Sequence, residues 1–141
     1  MKLRLVFGTL LVGLASACGG GDDNGGGGGG AGADSGTAMV TLQEVNNSGK
    51  SGTAELHSGA ASTDVTIEIQ GTSDLDPIYI RGGTCESPGT EIVHDLGFTN
   101  ANLGQGQAFV TIDEITTGEY ILTVEDDKTM KPVMCGAIPA Q

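Results

Sequence analysis

From residue 37 onward the sequence predicts an all-β domain, an antiparallel sandwich or flattened barrel of seven to eight strands. Short apolar runs alternate with polar residues at period two, and turn residues interrupt them every eight to twelve positions. No ten-residue window carries a convincing apolar period of 3.6 residues, so no substantial helix is expected. Together these observations predict a sandwich or barrel.

The elements follow in order. Ala38, Val40 and Leu42 alternate with Met39, Thr41 and Gln43, and Asn46-Asn47-Ser48-Gly49 then turns the chain. Ala54 and Leu56 alternate with Thr53, Glu55 and His57, and residues 58–62 turn again. Val65, Ile67 and Ile69 against Thr66, Glu68 and Gln70 form the clearest half-buried strand. Residues 71–77 read as a loop, with the position before Pro77 held extended. Ile78 and Ile80 are expected to face inward, and Tyr79 and Arg81 to face the other way. Residues 91–96 give a weaker strand, 107–112 and 119–125 give clear ones, and 133–138 closes the domain. The second clear strand should turn Tyr120, Leu122 and Val124 inward. Five aromatics in the whole chain leave the core to Val, Ile, Leu and Ala.

The N-terminus has a different texture. Lys2 and Arg4 precede an apolar stretch over residues 5–14, followed by the small residues Ala15-Ser16-Ala17 and then Cys18. A positive start, an apolar middle and a small-residue junction make a secretory signal peptide over residues 1–17. The stretch is too short to span a bilayer, which takes roughly 20 apolar residues. A cysteine directly after the junction resembles the bacterial lipobox, which implies that Cys18 is lipidated and becomes the mature N-terminus. One position departs from that pattern: Ala15 stands where leucine is usual, and Leu14 lies one place earlier. Cys18 and the glycine-rich segment to residue 36 then form a flexible tether, reaching roughly 20–25 Å. Gly19, where no Asp follows the cysteine, resembles lipoproteins sorted to the outer membrane of a Gram-negative cell. Residues 37–141 make up the domain.

Charge narrows the partners. The mature part holds four basic residues (Lys50, Arg81, Lys128 and Lys131) against 18 acidic ones, a formal net charge of −14. Nucleic-acid binding rests on Lys and Arg neutralising phosphates, so no nucleic-acid partner is expected. Electrostatic docking on anionic lipid is disfavoured for the same reason, which leaves the N-terminal lipid as the route to a membrane. A solvated acidic surface accounts for this balance, and divalent-cation binding or repulsion from the cell envelope is the sharper alternative.

With Cys18 lipidated, Cys85 and Cys135 remain as one pair. An oxidising compartment favours a disulfide between them; two free buried thiols are the alternative. A link between residues 50 apart would stabilise by about 4 kcal/mol on chain-entropy grounds.

Several short motifs occur in a suggestive order: Ser51-Gly52-Thr53-Ala54, residues 65–71, Tyr79-Ile80-Arg81-Gly82-Gly83-Thr84-Cys85, Gly118-Glu119-Tyr120 and Met134-Cys135-Gly136-Ala137-Ile138. Over residues 38–139 this resembles a copper/zinc superoxide dismutase-like domain, nearest to bacterial secreted and lipoprotein relatives and the chordin-type repeats. The resemblance implies an eight-stranded Greek-key sandwich with Cys85 tied to Cys135. In those relatives a His-x-His pair precedes the Gly-Thr-Cys, and here its two positions are Tyr79 and Arg81. The mature chain has only His57 and His94. Copper and zinc sites of this kind need several converging imidazoles, and Arg81 would place a fixed charge where a cation sits. No cofactor and no dismutase activity are therefore expected.

The remaining constellations are weaker. Tyr79 and Arg81 share a strand face as a possible ligand-facing pair, or Arg81 simply pairs with Glu86 or another acid. His57 and His94 meeting across strands would give a two-ligand metal site; separate surface histidines are the plainer reading. Glu125, Asp126 and Asp127 in one turn, Asp74 and Asp76 in another, and Asp113-Glu114 are candidate Ca²⁺ carboxylates or solvated turns. No Gly-x-Ser-x-Gly elbow, phosphate loop or His-Glu-x-x-His motif is present. The expectation is a lipid-anchored, non-enzymatic binding or structural module, with a Ca²⁺-stabilised adhesion-type module as the alternative and a metal-binding, dismutase-like protein with an altered site as the third reading.

Overall fold

The computed structural model describes residues 36–71 and 75–141. The signal peptide, Cys18, nearly all of the tether, and Asp74 lie outside the described residues. Eight strands are present: β1 (Thr37–Glu44), β2 (Ser51–Ser58), β3 (Thr63–Gln70), β4 (Pro77–Gly83), β5 (Pro88–Asn100), β6 (Leu103–Ala108), β7 (Tyr120–Glu125) and β8 (Pro132–Ala137). One short helix, α1 (Ile112–Ile115), precedes β7.

Every neighbouring pair is antiparallel, and the strands close into a barrel in the order β1-β2-β3-β6-β5-β4-β7-β8. β4, β5 and β6 follow one another as hairpins, and β7 returns to lie beside β4, which is a Greek key. Two of the barrel's seams are short. β1 meets β8 only at Gln43–Cys135 and Glu44–Met134, and β5 meets β6 only at Thr99–Gly104 and Asn100–Leu103. Glycine allows the backbones to approach at both seams. A Cβ at Gly106 would run into the Leu96 carbonyl, and one at Gly136 into the Thr41 carbonyl.

The interior is aliphatic, as the alternation predicts. Ala38, Val40 and Leu42 of β1, Leu56 of β2, Ile67 of β3, Ile78 and Ile80 of β4, and Leu122 and Val124 of β7 are all buried in one cluster. Tyr120 packs half-buried against it.

Two expectations are corrected. Residues 107–112 do not form one strand: β6 ends at Ala108, Phe109 is exposed, and the chain turns into α1. A cap causes the break. The Glu114 carboxylate accepts hydrogen bonds from the Thr111 amide at 2.9 Å and the Thr111 hydroxyl at 3.0 Å. The weak strand at 91–96 is the middle of the 13-residue β5. Its pairing with β4 shifts register at three places, so its alternation is out of phase with the barrel. Among the described residues, no helix is long and apolar enough to cross a membrane.

Candidate functional site

Two polar groups and one groove gather the residues of interest, all on the side built by β4, β7 and β8. The register sets the first group. Ile78 lies opposite Val124 and Tyr79 opposite Thr123, so Tyr79, Arg81, Thr123 and Glu125 share the outer face. Tyr79 nevertheless is only 7% exposed and Glu125 1%. The Arg81 Nε donates to Glu125 Oε1 at 2.9 Å, and a second guanidinium nitrogen donates to the Thr90 carbonyl of β5 at 3.0 Å. The guanidinium carbon sits 5.2 Å from the Tyr79 ring centroid. Burial, with the Asp95 and Glu125 carboxylates, pushes the Tyr79 phenol above its ordinary value against the opposing pull of Arg81.

This arrangement corrects the reading of a free, ligand-facing Tyr79–Arg81 pair. Arg81 pairs with an acid, as the plainer reading expected, and that acid is Glu125; the guanidinium ties β4 to β5 and β7. Glu125 is likewise not a solvent-facing turn carboxylate but the last residue of β7. Its second oxygen, Oε2, is buried with no hydrogen-bond partner among the described residues. The ion pair joins residues 44 apart, and no spacing in the sequence announces it.

The second group lies where β4 and β7 extend past their ladder. Because Ile78 faces Val124, Asp76 comes opposite Asp126. Asp76, Asp126 and Asp127 place carboxylate oxygens within 4.8 Å of one another. Internal donors already serve this group. The Lys50 ammonium pairs with the buried Asp76. The amides of Thr129, at 2.7 Å, and Lys128, at 3.2 Å, donate to Asp126 Oδ1 and hold that carboxyl below the usual carboxylate range. Asp113 and Glu114 lie in α1, where Glu114 is consumed by the cap; the Thr111 bonds hold its carboxyl low.

The histidines stand apart. His57 of β2 contacts Glu55 and the Thr37 hydroxyl. His94 lies on β5 opposite Ile80. Among the described residues, neither belongs to a group of three potential metal ligands.

Cys85 and Cys135 form a disulfide with Cα atoms 5.7 Å apart. It fastens the turn after β4 to β8. Beside it, on the outer face of β1, β8 and β7, lies an open groove of about 550 Å³. Sequence reasoning did not foresee this groove, because it depends on the spatial closure of β1 against β8.

Comparison of the chain with protein families, with curated proteins and with solved structures finds no match. The class defined by the structure is thus an antiparallel, eight-stranded, disulfide-linked β-barrel.

Proposed function

We propose that the chain is an exported lipoprotein whose barrel serves the cell envelope as a non-enzymatic binding or structural module. The observation that carries this reading is the run from Lys2 through Ala17 into Cys18, followed by glycine. The disulfide supports it, because such bonds persist in exported proteins. The acidic domain supports attachment through the lipid rather than through surface charge. The outer membrane of a Gram-negative cell is the proposed location, on the strength of Gly19.

The superoxide dismutase-like resemblance remains part of the proposal. A Greek-key barrel of eight strands with Cys85 joined to Cys135 agrees with what it implies. The same resemblance argues against dismutase chemistry here. Tyr79 and Arg81 occupy the positions of the His-x-His pair, and Arg81 is spent on Glu125. A Ca²⁺-stabilised adhesion-type module is the second reading, favoured by the convergence of Asp76, Asp126 and Asp127. It stays second because Lys50 and the 128–129 amides already neutralise or satisfy two of those carboxylates.

Both readings have direct tests. Cys18→Ser is expected to leave an unprocessed or soluble product that takes up no labelled fatty acid; continued labelling would defeat the anchor. Dialysis of the purified chain against copper, zinc or calcium is expected to leave no stoichiometric metal and an unchanged melting temperature. Any ion bound at 100 times its Kd would stabilise the fold by about 2.7 kcal/mol and raise that temperature visibly. A calcium-dependent rise would promote the adhesion-type reading, and one tightly held copper per chain would promote an altered metal site.

A further inference from the structure

We propose that the groove beside the disulfide binds a cationic peptide segment. The proposal deepens the binding-module reading and rests on it. At about 550 Å³ the groove falls within the roughly 300–1,000 Å³ range of small-ligand sites. Its floor is the outer face of β1 and β8, lined by Thr41 and Gln43 of the one and Cys135 and Ala137 of the other, with Gln43 opposite Cys135. One wall is the turn after β4. The Cys85–Cys135 bond fixes that wall, and reciprocal backbone hydrogen bonds between Thr84 and Ser87 tighten it. A wall held before binding lowers the ordering cost of a ligand.

The lining sets the ligand's charge. Glu44 and Glu86 both border the groove, and no Lys, Arg or His does. Thr41, Thr84 and Gln43 add neutral hydrogen-bonding groups. An anion would find no positive partner here. A cation finds carboxylates and neutral oxygen acceptors. A metal ion fits less well, because the converging carboxylates among the described residues are elsewhere, at Asp76, Asp126 and Asp127. Ammonium groups spaced along a flexible chain need no such convergence. The acidic excess of the whole domain would steer a basic segment towards the groove.

The test must separate the groove from that general field. Tetralysine amide is titrated calorimetrically into the full chain in mild detergent. Glu86→Gln and Glu44→Gln are compared with Glu68→Gln and Asp113→Asn, which remove the same charge from other faces. One tetralysine per chain is expected. Each groove variant should weaken binding about fivefold, and each control by less than about twofold. Equal weakening by all four would reduce the effect to diffuse surface attraction and overturn the site. Absence of binding to the unaltered chain would overturn it too, and spermidine binding as tightly as tetralysine would overturn the peptide occupant. None of these outcomes bears on Cys18, so failure here is distinct from failure of the anchor.

Discussion

Arg81→Ala is expected to destabilise the barrel by about 3–5 kcal/mol, the usual cost of removing one partner from a buried ion pair. The guanidinium is the partner of Glu125 Oε1, and the other oxygen of that carboxylate already lacks one among the described residues. Without Arg81 a buried carboxylate would stand unpaired, and the tie to the Thr90 carbonyl would be lost with it. Replacing both partners, as Arg81→Met with Glu125→Leu, should recover most of the loss, because a well-packed apolar pair often substitutes for a buried ion pair. Urea unfolding of the single and double variants measures both effects. A single-variant loss below about 1 kcal/mol would mean that solvent screens the pair, as at an exposed bridge.

The disulfide carries the second large effect. Cys85→Ala with Cys135→Ala, or reduction of the native bond, should lower stability by about 2–5 kcal/mol. The bond closes a long loop between cysteines 50 apart in sequence, and it holds the turn after β4 against β8. The seam it overlies is short, with β1 and β8 paired only at Gln43–Cys135 and Glu44–Met134. Reduction should therefore loosen this side first, seen as faster amide exchange at residues 134–135 than in the centre of β3. Exchange that stays uniform after reduction would show that the seam does not depend on the bond.

The strands that read clearly in the sequence are those whose one face is the barrel interior. In β1 and β3 alternation follows burial residue by residue, so their period-two pattern was legible. β5 was faint because three register shifts against β4 break the alternation and leave both Ile92 and Val93 exposed. β6 was misplaced for a different reason. Its inward positions Gly104 and Gly106 carry no side chain: the Ile78 side chain fills the space at Gly104, and Leu96 of the neighbouring β5 lies hard against Gly106. The helix that followed did leave a local trace, Thr111 with Glu114 three residues on, which is a capping-box spacing.

The candidate sites were legible only in part. The cysteine pairing was readable because three cysteines with one assigned to lipid leave a single pair. The partner of Arg81 was not, because Glu125 reaches it only through the β4–β7 ladder. The same ladder joins two acidic loops into one group, which sequence distance had kept separate. The groove required the closure of β1 on β8 and could not be seen in any local pattern.

The central claim, an exported and lipid-anchored barrel, is tested most directly by the intact mass of the protein purified from its own cell envelope. The account predicts a chain that begins at Cys18, carries acyl chains on that residue, and lacks the two thiol hydrogens lost when Cys85 joins Cys135. A mass that retains residues 1–17, or that shows an unmodified Cys18, would contradict it.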